Sequence, residues 1–515
     1  MPSARRAPTL SLSLSTPHTR DMRRAAALLA RHQVTRPPCW LAPGGGEAAA
    51  CSSSRAGHAR DAPRTPAIDG NDEVLGVMTP VTRKLWLARL ARQAAASAGS
   101  RIGDGLHSSP SSPSQPVPIQ LRTGPVPAEP TTITYPLSSS PAMRALYRNP
   151  WGAVRLGRVL EDLDSLAGSI ALTHADACAP GTRPPMLVTA SVDAIRLHRP
   201  LPADRDLTAV GAVVWTGKTS MDIRIEVHDE AAAAAAGGGE AGPPPPSPSS
   251  AGVAGSLLGA APPALAATFT FACRDPDTAA PLAIPPLAPP THPTAVGWWQ
   301  ERAAVAAARR AARAGGAAHP PPPPPAAAAW ADALLTQART VAALPALAPP
   351  GVLLSSSTAL SNTFVCQPQQ RNLAGRIFGG LIMRRAFELG YAAAYTFSGW
   401  RPHLASVDEV AFLAPVDVGD LLSLRAAVLH TATTPGGRKG HVHVVVSAHV
   451  IRPEGRSSAL SNTFHFRYRV DLKGEGGGEQ PDDGSGQPTS LRTVLPSTPE
   501  EARLVAAHYK GGGRV

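Results

Sequence analysis

A chain that carries one pattern twice is built from two copies of one fold, so the internal repeat constrains this sequence most. Residues 149–174 read NPWGAVRLGRVLEDLDSLAGSIALTH, and residues 372–397 read NLAGRIFGGLIMRRAFELGYAAAYTF. They align without a gap at an offset of 223: Asn149 with Asn372, Gly152 with Gly375, Val154 with Ile377, and Gly157 with Gly380. A second pair follows at an offset of 215, Ala190-Ser191-Val192-Asp193 against Ala405-Ser406-Val407-Asp408. The eight additional residues of the first half fall in the loop around ACAPGTRP, where insertions are tolerated.

Each copy has a legible secondary structure. Leu160, Leu163, Ala167 and Ala171 recur at helical spacing, as do Met383, Ala386, Gly390 and Ala394. Both predicted helices therefore have an apolar face rich in small residues, suited to packing on a sheet. Alternating runs follow: MLVTASVDAIRL, LTAVGAVVWTG, SMDIRIEV and LAATFTFACR, then HLASVDEVAFLA, LLSLRAAVLHT, HVHVVVSAHVI and LSNTFHFRYRV. These read as antiparallel strands. One helix followed by meandering strands is an α+β plan with the sheet wrapped around the helix. Between the copies, VGWWQERAAVAAARRAARA and WADALLTQARTVAAL read as linker helices.

Composition sets the limits of the folded part. The chain has 515 residues, but 56 are proline and 46 glycine, many in runs. Residues 231–263, 316–329 and 473–488 read as linker or disordered sequence. The expected layout is a low-order region over 65–130 and a first domain over 131–280 with its insert near 231–263. A linker over 281–350, a second domain over 351–472 and a disordered tail over 473–515 follow. No run of 18 apolar residues occurs, so no membrane span is expected. The five cysteines are odd in number and too scattered for a zinc site, which fits a reducing compartment and no metal.

The net charge of +12 would suit nucleic acid, but its distribution argues against that. Residues 1–64 hold ten arginines and three acids, which is +7 of the total. This segment is rich in Arg and Ser and has no lysine; around 20–34 its arginines and its apolar residues fall on different helical faces. That is the pattern of an organellar transit peptide, mitochondrial in preference to plastid.

The stretches YRNPWGAVRLGRVLEDLDSLAGSIALTH, VTASVD, WTGKTSM, CQPQQRNLAGRIFGGLIMRRAFELGYAAAY and LSNTFHF resemble the mitochondrial-type double-hotdog acyl-CoA thioesterases over about 140–470. The resemblance implies a tandem hotdog fold, hydrolysis of acyl-CoA to fatty acid and CoA, and catalytic groups that meet where the halves pair. It also implies a homo-oligomer, often a trimer in related double hotdogs. No cofactor is expected beyond the coenzyme A of the substrate. The alternatives are an enoyl-CoA hydratase of the same fold and a non-enzymatic acyl-CoA-binding module.

Thioester hydrolysis needs a carboxylate, to activate water or to attack directly, and dipoles that meet the developing oxyanion. Asp164 lies on the apolar stripe of the first helix, where an ionised carboxylate is costly unless partnered. Its repeat counterpart is Phe387, which cannot activate water, and Glu388 lies about 100° further around the helix. The second half keeps Asn372, followed by Gly379 and Gly380 at a helix start. In the resemblance this asparagine holds the thioester carbonyl or the water, and amides at the glycine-opened helix start face the oxyanion. The expected working site pairs Asp164 with Asn372, Gly379 and Gly380, and Asn149 with Phe387 forms an inactive pseudo-site. Lys218, Arg438 and Lys439, at strand turns, are weak candidates for the phosphates of CoA.

Other motifs carry less. VGAVVWTGKTS has its glycines one residue too far apart for a P-loop and no helix after it. His441, His443 and His449 alternate on one strand and read as a solvent-facing row, Cys366 reads as a core thiol, and the prolines at 320–325 read as a spacer. No G-x-S-x-G elbow occurs.

Overall fold

The computed structural model describes residues 79–101, 119–176, 184–229, 256–257, 262–314, 323–372, 375–408, 410–434, 437–472 and 491–507. The segment read as a transit peptide, most of the insert, and 473–490 with 508–515 of the tail lie outside these residues.

The first half contains α1 (Pro80–Arg101), β1 (Thr131–Tyr135), α2 (Pro141–Tyr147), α3 (Leu156–Ala175), β2 (Met186–Leu197), β3 (Leu207–Thr216), β4 (Ser220–Asp229) and β5 (Leu265–Arg274). Two helices connect the halves, α4 (Pro293–Ala314) and α5 (Pro325–Ala343). The second half contains β6 (Val352–Leu354), β7 (Leu360–Val365), α6 (Gly379–Ser398), β8 (His403–Val407), β9 (Val410–Ala411), β10 (Leu421–Thr433), β11 (Lys439–Arg452) and β12 (Ser457–Asp471). The short strand β13 (Thr493–Leu495) and α7 (Pro499–Ala507) close the described chain.

Ten strands run in the order β1-β3-β4-β5-β2-β8-β12-β11-β10-β7, and β9 pairs with β2 beside β8. All pairings in this sheet are antiparallel. The two copies meet at β2 and β8, with Ile195 opposite Val407 and Arg196 opposite Ser406. The repeated Ala-Ser-Val-Asp blocks are thus the seam of one continuous sheet. This is the α+β, two-copy plan expected from the repeat, and the tandem hotdog that the resemblance implied. Alternation along β12 puts Phe464, Phe466, Tyr468 and Val470 into the core, each fully buried. Burying an aromatic of that size stabilises the fold by roughly 2–3 kcal/mol.

The central helices α3 and α6 lie against each other and run antiparallel. Arg384 meets Glu161, and Gly380 meets Asp164. A side chain at Gly157 would meet the Phe387 ring at 3.1 Å, and one at Gly380 would meet the Glu161 carbonyl oxygen at 2.9 Å. Both glycines are needed because the two backbones approach this closely.

Three expectations are corrected. Residues 65–130 were expected to have little order, but α1 packs along α3. Asp162, at 0% exposure, accepts hydrogen bonds from Thr79, from Thr82 Oγ1 at 2.9 Å and from Tyr147 at 2.6 Å. Glu161, Asp162 and Ser165, which lie off the apolar stripe, are therefore buried too, since α1 and α6 cover the sides of α3 that the sheet leaves open. The segment 473–515 was expected to be a disordered tail, but β13 pairs in parallel with β6 and α7 packs its small residues Ala502 and Ala506 on Ala327, Ala331 and Leu335 of α5. The linker read over 316–329 ends early, because 325–329 already belong to α5, with Pro324 as its N-cap and proline in its first turn.

Both connecting helices cover outer faces of the sheet. On α4, buried Arg302 bridges Asp222, at 2.7 Å, and Asp193, and Arg224 of β4 lies 4.6 Å over the Trp298 ring. On α5, Trp330 stands edge-on to His430, with ring centroids 5.3 Å apart. His443 is not part of a solvent-facing row: it is buried, and its Nε2 lies 3.1 Å from His465 Nδ1.

Candidate active site between the two halves

Asp164 stands in the middle of α3 and is 2% exposed. Each carboxylate oxygen has a partner. Thr189 Oγ1 on β2 donates to Oδ1 at 2.9 Å, and the Gly380 amide, in the first turn of α6, donates to Oδ2 at 2.8 Å. The latter bond crosses from one half to the other. The ladder of β2 shifts register between Thr189 and Ser191, an irregularity of the kind that re-aims a side chain beside a site. α6 has no side-chain cap of its own, and the Asp164 carboxylate takes that place at the positive end of the helix. Burial pushes the Asp164 carboxyl up, to about 6, while Thr189, Gly380 and the Arg89 guanidinium pull it back down. The group is therefore an anion at neutral pH that remains basic enough to accept a proton.

Asn372 sits in a tight loop before α6. Its backbone amide donates to the Arg376 carbonyl at 2.6 Å, its side-chain oxygen accepts from the Arg376 amide at 3.2 Å, and Gly375 turns the chain at φ +78°. The first half repeats this loop bond for bond. Asn149 donates to the Ala153 carbonyl at 2.8 Å, its side-chain oxygen accepts from the Ala153 amide at 3.0 Å, and Gly152 has φ +86°. With the asparagine oxygen engaged by its own loop, the amide nitrogen is the group that suits a carbonyl.

Two adjoining cavities, of about 410 Å³ and about 340 Å³, both border Thr189, Asn372 and Gly379. The first also borders Asp164, with Thr82, Trp86 and Arg89 of α1 on its wall. The second is largely apolar, with Ile377, Ile382, Phe412 and Leu413. Asp164, Asn372 and Gly379 thus meet in one place, with Gly380 directly behind the carboxylate. The role expected of Gly380 changes: its amide binds the acid, where the sequence reading had it facing an oxyanion. A side chain at Gly379 would meet the Phe412 ring at 3.0 Å and Asp164 Oδ2 at 3.4 Å.

Asn149 and Phe387 border a third cavity, of about 600 Å³, on the opposite side of the helix pair. Glu388 does not replace the missing acid there, because it pairs with Arg384 at 3.1 Å and Arg155 at 3.6 Å. Lys218, Arg438 and Lys439 are exposed, and none of them borders the three cavities. Turn position alone could not tell which basic residues face a site. Cys366 is buried in the core, its thiol pushed up to about 11 by burial.

Sequence reasoning missed two residues. Thr189 had a signal: its counterpart at the 215-residue offset is Leu404, the same polar-to-apolar change as Asp164 to Phe387. Arg89 had none, because α1 has no repeat partner. Its guanidinium donates to the Ser165 carbonyl and, at 3.0 Å, to Ser169 Oγ, which fixes it on α3 beside the cavity.

A family model for the thioesterase superfamily matches residues 156–235. A Humulus lupulus protein named acyl-coenzyme A thioesterase 4, mitochondrial, is 38% identical over 430 residues, which are 83% of this chain and 72% of that protein. A second Humulus lupulus protein, acyl-coenzyme A thioesterase 2, chloroplastic, is 36% identical over 83% of this chain and 87% of its own length. The human acyl-coenzyme A thioesterase 9, mitochondrial, is 29% identical over 65% of this chain and 70% of its own.

Proposed function

Because this chain belongs to the organellar acyl-CoA thioesterases, we propose that it hydrolyses acyl-CoA at one composite site, with Asp164 from the first half and Asn372 from the second. Hydrolysis of acyl-CoA itself follows from membership of the family. The arrangement of the site is the proposal, and the observation that carries it is the hydrogen bond from Gly380 to Asp164, which ties the acid of one half to the helix start of the other.

In this reading the thioester carbonyl lies against Asn372 and the Gly379 end of α6. Asp164 takes a proton from water as the water oxygen attacks the carbonyl carbon. The C–S bond then breaks, and the proton passes to the leaving thiolate, giving fatty acid and CoA. The amide of Asn372 and the helix end stabilise the oxyanion. The apolar cavity bordered by Ile382 and Phe412 takes the acyl chain. Residue chemistry alone suffices, so no separate cofactor enters. A hydratase would need a histidine beside Asp164, and His174 is instead held by the Pro285 carbonyl at 3.1 Å and borders neither cavity.

Among the described residues no helix is long and apolar enough to cross a membrane. The mitochondrial and chloroplastic relatives agree with the organellar targeting signal read in residues 1–64. The assembly proposed is a homotrimer of the kind related double hotdogs form, to be measured by light scattering. The experiment for the activity is release of CoA, read with a thiol reagent, from acyl-CoAs of several chain lengths. Turnover is expected, and binding without turnover would overturn the reading.

A further inference from the structure

The cavity bordered by Asn149 and Phe387 is larger than either cavity of the working site, at about 600 Å³, within the range of small-molecule sites. Its lining differs from that of the working site at matched positions: Ala153 stands where the working site has Arg376. At the two repeat offsets, Arg155 stands where the working site has Phe378, His198 where it has Leu413, and Arg199 where it has Ala414. The half-site without the acid thus carries two arginines, Arg155 and Arg199, where the working site has apolar residues.

The charge is largely uncompensated. Arg155, Arg158, Arg199, Arg401 and Arg469 border the cavity, and the one acid among its lining residues, Glu388, is already shared by Arg155 and Arg384. The Nε atoms of Arg158 and Arg469 are buried without a hydrogen-bond partner. Burial and the neighbouring guanidiniums of Arg384 and Arg155 push Arg158 down from its ordinary value. Half-buried guanidiniums whose Nε atoms are shut off without a partner suit an anion with several acceptor oxygens. At the rim, Trp151 is 38% exposed, with Arg401 5.0 Å over its ring and the Tyr391 ring 5.8 Å away. An indole beside arginines suits a flat base next to its phosphates.

We propose that this second cavity binds a nucleoside diphosphate group, supplied either by free ADP or by the ADP portion of a second coenzyme A. The site lies apart from Asp164, so it holds its ligand without hydrolysing it.

The test is titration calorimetry of the full chain with ADP, inorganic pyrophosphate and CoA, on wild type, Arg158→Gln/Arg199→Gln and Trp151→Ala. ADP is expected to bind one per chain. The double variant should weaken it at least tenfold, and Trp151→Ala should weaken ADP while sparing pyrophosphate. If CoA binds two per chain and the double variant removes one, coenzyme A is a ligand of the site. If CoA binds one per chain throughout while ADP is lost in the double variant, the ligand is free nucleotide. Hydrolysis of acyl-CoA without ADP should stay within about twofold in all variants, and thermal melts check that they fold. No ADP or CoA binding outside the working site, or ADP binding that none of these substitutions weakens, overturns the inference. Either result leaves the hydrolytic reading standing, because that reading is judged on turnover alone.

Discussion

Asp164 is an anion held in a place that penalises anions, and this sets the pH behaviour of the protein. The group titrates at about 6, so turnover should rise with pH through that value and level off above it, as read in a rate profile at saturating substrate. Thr189→Val removes the bond to Oδ1. It should lower turnover by about 10–100-fold and move the midpoint of the profile upward. An unshifted midpoint would show that Thr189 does not hold the charge. Stability runs the other way. The folded carboxyl binds its proton more tightly than the free side chain does, so Asp164 contributes less to stability as pH rises from its ordinary 3.8 through about 6. Asp164→Asn can still accept from Gly380 and donate to Thr189. At pH 7.5 it should raise the melting temperature by about 1–2 °C, the effect of ~1 kcal/mol in a fold of this size. A lower melting temperature would contradict the cost assigned to the charge. Asp164, Asn372 and Phe387 were legible because the repeat sets unlike residues side by side. Arg89 was not, since its place at the site comes from the packing of α1 on α3 and leaves no pattern in the sequence.

Helix α3 meets helix α6 through residues that the repeat makes equivalent. Glu161 and Arg384 occupy the same position in the two copies, and across the helix pair they form an ion pair at 2.9 Å with little exposure. In a dimer of identical copies that position would oppose itself with like charge. Joining two copies in one chain let the position take opposite charges. Arg384→Gln strands the Glu161 carboxylate, and denaturant unfolding should show a loss of about 3–5 kcal/mol; Glu161→Gln leaves Arg384 its bond to Glu388 and should cost less. The double variant should lose clearly less than the two single losses added together. Strict additivity would mean the pair does not couple the helices. The helices and strands of both copies were legible from their periodicity. α7 was not, because its nine residues, PEEARLVAA, hold no strong apolar stripe and depend on small-residue packing against α5.

The described residues form one eleven-stranded sheet with two central helices and a separate two-stranded sheet of β6 and β13, and α4 and α5 pack on the outer side. Ending the chain after residue 490 would remove β13 and α7, and so uncover Ala327, Ala331 and Leu335 of α5. Calorimetry should then show a melting temperature lower by several degrees with the activity retained at low temperature, since neither element borders the site. Loss of activity without loss of stability would mean the segment acts on the site itself. That the chain forms a pair of copies was legible in the repeat. How the copies meet, along the Ala-Ser-Val-Asp strands and through Gly380 on Asp164, depended on register, which no single strand encodes. The central claim is one working site per chain, with its acid in the first half and its asparagine in the second. The most direct measurement is the kcat for acyl-CoA of Asp164→Asn and Asn372→Ala, with Asn149→Ala as the control. Asp164→Asn should lose about a thousandfold or more, and Asn372→Ala about a hundredfold or more. Asn149→Ala should stay within about twofold of wild type. Retention of more than half the turnover in Asp164→Asn, or equal losses in Asn149→Ala and Asn372→Ala, would contradict it.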